Sequence, residues 1–346
     1  MKDKIRIGII GFGIVGQRRF KLLKEHPDYE VVSICEPAEL PLLRDISLPL
    51  YEDYQEIFNN SLDAVVISTP NNVSSEIVIS CLKEGLHVFC EKPPGRNLSE
   101  MQAVAVEEQK HPTLKLKYGF NHRYHEAIKE AKSIIDSKRL GEVLSLKGIY
   151  GKSGGKNYDN IWRTKRNIAG GGILLDQGIH MLDIFRYFCG DFGEYYSFVQ
   201  NHFWNHDVED NVFAIMKNPK DQVAMIHSSA TLWKHTFSMD ITLSEGYLKL
   251  YGILSGSMSY GRESLIIGYR QFEDETKDFG SPREEIMYFD RDNSWKEELD
   301  DFAKCILENK PIEMGSSIDA LRSMEMVYSV YKADKAWSMK WQLDSQ

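Results

Sequence analysis

Ile5-Arg6-Ile7-Gly8-Ile9-Ile10 runs directly into Gly11-Phe12-Gly13-Ile14-Val15-Gly16. The first six residues read as a buried β-strand, and the next six are a G-x-G-x-x-G that opens a helical pattern. A lone G-x-G-x-x-G is a weak signal; between a strand and a helix it reads as a dinucleotide-binding turn. Gly11 makes the tight turn, Gly13 lets a pyrophosphate approach the backbone, and Gly16 lets helix and strand pack closely. Ile14 and Val15 lie in the first helical turn, whose N–H groups and partial positive charge suit phosphate. A tight turn without a ligand is the competing explanation.

The same theme repeats downstream. Residues 31–35, 63–68, 87–90 and 114–120 are apolar, β-rich runs, and helical patterns lie near 73–84 and 98–110. Strands alternating with helices give a parallel, doubly wound sheet, and continuous runs such as Val65-Val66-Ile67 suit strands covered on both faces. After Phe120 the pattern changes. A helix is expected near 124–137, a strand near 142–150, and a helix after Gly170-Gly171-Gly172. From about 193 to 268, polar and apolar residues alternate between turns at Asn218-Pro219, Glu245-Gly246 and Ser255-Gly256, which predicts an antiparallel sheet. Two helices, about 295–308 and 317–337, close the pattern. The expected fold class is therefore α/β, a Rossmann domain over 1–120, followed by an α+β domain over 121–346 with one large, open, mostly antiparallel sheet. The helix near 317–337 is a candidate to pack back on the first domain.

Composition narrows the function. The chain has 346 residues, with 42 Lys+Arg against 51 Asp+Glu and a net charge of −9. That balance argues against a nucleic-acid partner, which needs clustered basic surface. No stretch approaches the ~20 apolar residues of a membrane span. Cys35, Cys81, Cys90, Cys189 and Cys305 are scattered, without a C-x-x-C or C-x-x-H pair, so neither a disulfide framework nor a metal site is signalled. Lys2, Lys4 and Arg6 before an apolar run imitate a secretory leader, but the glycines in that run and Gln17-Arg18-Arg19 after it argue against one. A cytoplasmic location is the expectation.

Chemistry-bearing residues fall at strand ends and helix starts. Glu36 ends the second strand, 25 residues after Gly11. A carboxylate there bonds the adenosine ribose and repels a 2′-phosphate, favouring NAD, with NADP kept open by Arg18, Arg19 and Arg44. Cys90-Glu91-Lys92-Pro93 ends another strand, where ligands of such sheets sit. Asp176, His180 and Asp183 are spaced i, i+4, i+7, which places them on one face of a regular helix. Histidine titrates near neutral pH and suits the base that an alcohol oxidation needs. A structural His–Asp pair is the alternative at this point. The loop 151–169 holds Lys152, Lys156, Arg163, Lys165 and Arg166 against Asp159 alone. Either it is a solvated basic loop or it meets an anionic substrate such as a sugar phosphate, a nucleotide sugar or a sugar acid, with Tyr158 and Trp162 available to stack on a ring.

Taken together, the glycine turn, Thr69-Pro70-Asn71, Glu91-Lys92-Pro93, Phe120-Asn121-His122-Arg123-Tyr124, Trp162-Arg163 and the GGG-x-L-x-D-x-G-x-H-x-x-D run ending at Asp183 resemble the Gfo/Idh/MocA oxidoreductases. The resemblance spans nearly the whole chain. It implies that Lys92, Asp176 and His180 line the active site with His180 as acid/base. It also implies that Thr69, Pro70, Asn71, Glu91 and Lys92 join Gly11, Gly13, Ile14, Val15, Gly16 and Glu36 at the cofactor. Asn121, Arg123, Trp162 and Arg163 would then face a sugar-like substrate, with no metal. It implies a homodimer or homotetramer formed through the outer face of the C-terminal sheet. The stretch Asn72-Val73-Ser74 departs from the histidine the family often has there. Two other classes stay open: an enzyme that recycles bound NAD during elimination or glycosidic cleavage, and a dinucleotide-sensing regulator.

Overall fold

The computed structural model describes residues 4–155, 157–271 and 280–343. It divides into two compact units, the first made of Met1–Asn121, Asn167–Gly170 and Trp295–Leu321 and the second of His122–Arg166, Gly171–Ser294 and Arg322–Gln346. The single expected cut between 120 and 121 is thus replaced by a chain that returns twice to the first unit. Named side chains account for both returns: the Asn71 amide Nδ2 donates to Ala169 O at 2.8 Å, and a buried arginine fixes the segment beginning at Trp295.

The first unit is built on six parallel strands, β1 (Ile5–Ile10), β2 (Tyr29–Cys35), β3 (Leu50–Tyr51), β4 (Ala64–Ile67), β5 (His87–Cys90) and β6 (Leu116–Tyr118). Their order is β3-β2-β1-β4-β5-β6. Helices α1 (Ile14–Glu25), α2 (Asn71–Lys83) and α3 (Leu98–Glu108) form the crossovers. This is the Rossmann arrangement, and its strand order reverses between β1 and β4, where ligands of such sheets bind. Every residue of β4 is inaccessible to solvent, as a central strand covered on both faces requires.

Arg19 on α1 ties this unit together. Its guanidinium is fully buried and meets Glu91 Oε1 at 2.7 Å, Glu298 Oε2 at 2.6 Å and the Trp295 carbonyl at 3.1 Å. It also lies over the Phe89 ring at 4.4 Å and the Trp295 ring at 4.3 Å. The helix Ser294–Leu307 is thereby joined to α1 and to the end of β5, and Phe302 packs edge-on against Phe89 at 5.7 Å.

In the second unit, helix α4 (Glu126–Asp136) precedes β7 (Val143–Gly151), and β8 (Glu194–Gln200) through β14 (Glu284–Phe289) complete an eight-strand sheet of order β14-β13-β12-β11-β7-β10-β9-β8. β9 is Asn211–Lys217, β10 Val223–Ser229, β11 Thr236–Leu243, β12 Gly246–Tyr251 and β13 Glu263–Tyr269. The sheet is antiparallel as expected except that β7 and β10 run parallel. The exception follows from connectivity: β8-β9-β10 and β11-β12-β13-β14 are meanders, and β7 is inserted between them. Helix Ile179–Cys189 covers one face of β7, and a Cβ at Gly148 would lie 2.6 Å from Met181 Sδ and 2.9 Å from Phe185 Cζ, so the glycine lets these side chains pack close to the strand.

The helix expected over 317–337 ends at Ala333. Asp334 leaves helical geometry, accepts from Val199 N at 2.8 Å and caps a new helix, Lys335–Trp341, through Trp337 N at 3.0 Å. The first residues of the helix Ser317–Ala333, to Leu321, belong with the first unit and the rest with the second.

The Arg19 cluster carries a pH dependence. Burial pushes the Glu298 carboxyl from 4.5 up to about 7, Arg19 opposing and Glu91 adding. The unfolded chain loses this proton near 4.5 while the fold keeps it to about 7, so stability from this group falls as pH rises through that window. Glu298→Gln keeps an oxygen for Arg19 and removes the ionisation. The variant is expected to be less sensitive to pH between 4.5 and 7 than the parent, by on the order of 1–3 kcal/mol, read from urea midpoints. Parallel curves for the two proteins would sink this assignment.

Candidate active site

In the first unit the glycine turn has the geometry of a nucleotide cradle. Gly11 sits at φ +90°, and a Cβ there would come within 2.7 Å of Ser68 O. A Cβ at Gly16 would lie 2.1 Å from Gly11 O, whereas Gly13 has open space around it and caps α1 without a side-chain bond. Ser68 Oγ and Thr69 Oγ1 are buried and have no partner among the described residues, so two hydroxyls beside the turn have hydrogen bonds to give. Ile14 is almost fully exposed at the helix start. The Glu36 carboxylate accepts from Phe12 N at 2.6 Å and from Ala38 N at 3.0 Å, which fixes it at the end of β2 beside the turn. These features fit a dinucleotide: an open backbone approach, helix amides and a carboxylate at the ribose position.

Other residues expected at the cofactor have structural bonds of their own. Pro70 caps α2, and Asn71 is buried with its amide on Ala169 O. Glu91 is bound to Arg19, so both members of that pair are engaged. Arg18 lies over the Trp295 ring at 4.1 Å, which leaves Arg44 as the exposed one of the three arginines weighed against NAD. Lys92 is half-buried and precedes a cis bond to Pro93. Asn121, also in this unit, is buried.

In the second unit the chain after Gly171 is fixed by one buried carboxylate. Glu209 accepts from Gly172 N at 2.7 Å, Leu174 N at 2.9 Å and the Tyr331 hydroxyl at 2.6 Å. A Cβ at Gly172 would fall 2.1 Å from Glu209 O, so the glycine is needed for this approach. Residues Leu174–Gly178 then form a π-helical turn before the regular helix begins at Ile179. Such turns are rare and recur at functional sites.

Asp176 lies in the π turn, while His180 and Asp183 lie in the regular helix that follows it, and the three meet different partners. Asp176 is reached by Lys152 Nζ at 3.0 Å and by Arg163 Nε at 3.3 Å. Asp183 is fully buried and takes Arg123 in a two-point pair, at 2.8 Å from Nε and 2.6 Å from Nη2, with Ser323 Oγ at 3.2 Å. Arg123 is itself buried and lies over the Tyr187 ring at 4.8 Å. Its expected place facing substrate is therefore corrected: it anchors the helix Ile179–Cys189.

His180 is buried, and the ring of His122 stacks on it with centroids 3.8 Å apart and planes 16° apart. His122 Nε2 is 3.1 Å from the Tyr150 hydroxyl, and Gln177 Nε2 donates to the Tyr260 hydroxyl at 2.8 Å. Burial pushes the Tyr150 phenol well above its ordinary range and Tyr260 up to about 12, so both stay protonated. Arg163 folds over the Trp162 ring at 4.4 Å. Tyr158 is buried edge-on against Trp204 at 5.0 Å and has no face left for stacking, which corrects that expectation. Lys156 lies outside the described residues.

Sequence reasoning missed His122, Tyr150, Tyr260 and Glu209. His122 was visible inside the Phe120–Tyr124 motif; nothing in periodicity singled out the others. Among the described residues no three His, Cys, Asp or Glu side chains gather as a metal site. All five cysteines are buried and free, and no described helix is long and apolar enough to cross a membrane.

Comparison with known proteins gives a concordant picture. A model described as an oxidoreductase family with an NAD-binding Rossmann fold matches residues 5–120, and the GFO/IDH/MocA C-terminal domain matches residues 128–249. Myo-inositol 2-dehydrogenase of Thermotoga maritima is 32% identical over 193 residues, 54% of this chain and 55% of that protein. Levoglucosan dehydrogenase of Pseudarthrobacter phenanthrenivorans is 34% identical over 143 residues, 40% of this chain and 36% of that one. The chain thus spans about half the length, or less, of these curated relatives. A solved levoglucosan dehydrogenase in complex with NADH superposes with a TM-score of 0.83 at 20% identity, covering 97% of this chain and 98% of that one, and so shares the fold. With both of the family's domains matched along the chain, and with the six-strand parallel sheet and the eight-strand sheet in place, the protein belongs to the Gfo/Idh/MocA oxidoreductase family.

Proposed function

We propose that the protein is an NAD-dependent dehydrogenase that interconverts a ring CH–OH and the corresponding ketone of a sugar or cyclic polyol. The observation that carries this reading is the setting of Asp176 and His180: a carboxylate held by two cations, four residues before a buried, ring-stacked imidazole. Similarity in sequence to the inositol and levoglucosan dehydrogenases supports the substrate class. The nicotinamide, when bound, supplies the hydride acceptor. His180 takes the hydroxyl proton in the oxidation and returns it in the reverse direction. Lys92 donates a hydrogen bond to the reacting oxygen and stabilises its developing charge. Asp176 orients Lys152 and Arg163, and with Trp162 this group grips the neighbouring hydroxyls. Asn121 adds a further polar contact. The Glu36 carboxylate favours NAD over NADP by repelling a 2′-phosphate.

A second reading gives the substrate an anionic group. Part of the basic loop is internally offset, since Lys152 and Arg163 share Asp176 and Arg166 lies over Trp341 at 4.3 Å. The Arg163 side chain is nonetheless 39% exposed and has donors left for a carboxylate or phosphate.

We also propose that two copies associate through the outer face of the sheet. Tyr196, Ile215 and Met225 form one exposed cross-strand row on β8, β9 and β10, and Phe198, Phe213 and His227 form the next. Adjacent apolar rows on an outward face are an association surface rather than scattered exposure.

Four measurements test these readings. His180→Ala is expected to lose about 10²–10⁴-fold in turnover with NADH binding retained, as followed by nicotinamide fluorescence. Full activity in that variant removes His180 from the role. Turnover at 340 nm with inositols and anhydrosugars, compared with sugar phosphates and nucleotide sugars, and with NAD against NADP, separates the substrate classes. Arg163→Ala is expected to raise KM about tenfold or more for anionic substrates alone if the second reading holds. Phe198→Asp should lower the mass measured by light scattering; an unchanged oligomer, or a monomeric parent, would remove the sheet face as the contact.

A further inference from the structure

We propose that Trp233 and Phe203 form an aromatic platform for a second, non-reacting sugar ring, so that the substrate is a neutral glycoside of two or more rings. The inference rests on the sugar dehydrogenase reading given above and extends that site outward. Trp233 is 65% exposed and Phe203 56%, and their rings meet edge-on with centroids 5.1 Å apart. Single exposed aromatics are ordinary, but two held together on fixed loops make a binding surface.

The direction of the strands places this pair beside the candidate site. β9 is antiparallel to β8 and to β10, and β10 is parallel to β7, so β7, β8 and β10 all run the same way. Lys152 follows the end of β7, the loop with Phe203 follows β8, and the loop with Trp233 follows β10. The three segments therefore leave one end of the sheet, the end at which Lys152 Nζ meets Asp176. Leu232 N donates to Lys152 O at 3.1 Å, so Trp233 is one residue from a direct bond to the Lys152 backbone. A row of rings runs outward from the same lysine. Its Nζ lies 5.8 Å from the Tyr158 centroid, and Tyr158–Trp204, Trp204–Phe203 and Phe203–Trp233 follow at 5.0, 5.2 and 5.1 Å. Tyr158 is buried, whereas the last two rings face water.

The loops are fixed before any ligand arrives. The buried Asp210 Oδ2 accepts from His202 N at 3.0 Å, Phe203 N at 2.7 Å and Trp204 N at 3.0 Å. Trp204 Nε1 donates to Ala230 O at 2.9 Å and so joins the two loops. Binding on the platform then requires little further ordering of the chain. The chemistry of the patch selects the ligand. The C–H face of a sugar ring carries slight positive charge and suits the negative face of an aromatic ring, and water leaves both surfaces. Residues 201–207 and 230–236 hold one acidic side chain, Asp207, and one basic one, Lys234. That balance lacks the cluster of cations that a phosphate or diphosphate link would need and suits a neutral ring.

The test is turnover at 340 nm with matched sugars: glucose against cellobiose and maltose, galactose against lactose, and xylose against xylobiose. The parent is expected to favour at least one two-ring sugar over its one-ring partner in kcat/KM. Trp233→Ala should lower that preference about 2–10-fold, through KM rather than kcat, and Trp233→Phe should restore most of it. Phe203→Ala, the other half of the platform, should act in the same direction. Saturation-transfer NMR with the same sugars, on protein loaded with NADH, reads contact without chemistry. Both rings of the favoured disaccharide should receive signal in the parent, and the non-reacting ring should lose it in Trp233→Ala. A preference for single rings or for nucleotide sugars overturns the proposal, as does a two-ring preference that Trp233→Ala leaves intact. A lower mass for Trp233→Ala by light scattering also overturns it, by assigning the pair to a contact between copies. If no sugar is oxidised, the dehydrogenase reading fails, and the NMR contact with the second ring, present or absent, decides the platform by itself.

Discussion

A carboxylate without access to water has to be met by donors, and in the second unit Glu209 is met by two backbone amides and a phenol. That requirement fixes the path of the chain from Gly172 to Leu174, and with it the start of the π turn that carries Asp176. Burial pulls the Glu209 carboxyl upward, and the three donors pull it back toward the ionised form. The catalytic candidates thus inherit their position from a residue that touches none of the chemistry. Asp183 repeats the logic at the following turn of helix, where Arg123 and Ser323 surround it. Two buried acids clamp the segment between them, and Asp176 and His180 are what the clamp presents.

The first unit uses the same device with the sign reversed. Arg19 is a buried cation met by two acids and a carbonyl. It holds Glu91, the residue just before Lys92, while Asn71 holds the segment at Ala169. Buried ion pairs give little net stability against apolar packing, but removing one partner leaves a charge stranded. Their value here is positional: they fix strand ends and chain returns that apolar side chains would leave free to slide.

This division explains what could be read from the sequence. The parallel sheet was legible because its signal is local: β-rich runs, glycines at a turn and helical periods between them. Strand β5 begins and ends where the apolar run does, at His87 and Cys90. The antiparallel sheet was legible for the same reason, but the parallel pairing of β7 with β10 was not, because it depends on residues 78 positions apart, such as Ser145 and Val223, meeting at the sheet centre. The periodicity that placed Asp176, His180 and Asp183 on a regular helix assumes uniform winding, and the π turn at Leu174–Gly178 could not be read from it. Arg123 looked like a substrate contact since an arginine in a motif is ambiguous until its counter-ion is located.

The motif residues therefore separate into two kinds that a sequence presents alike. Asn71, Glu91, Arg123 and Asp183 spend their polar groups on neighbours whose burial demands it. Asp176 is different: its two cations are partly exposed, and the Arg163 side chain has surface to offer a ligand. His180 is different again, since its buried ring is stacked against another imidazole. Stacking on the face fixes the plane of a ring and so the directions in which its nitrogens can exchange a proton, which is the constraint a general acid or base needs.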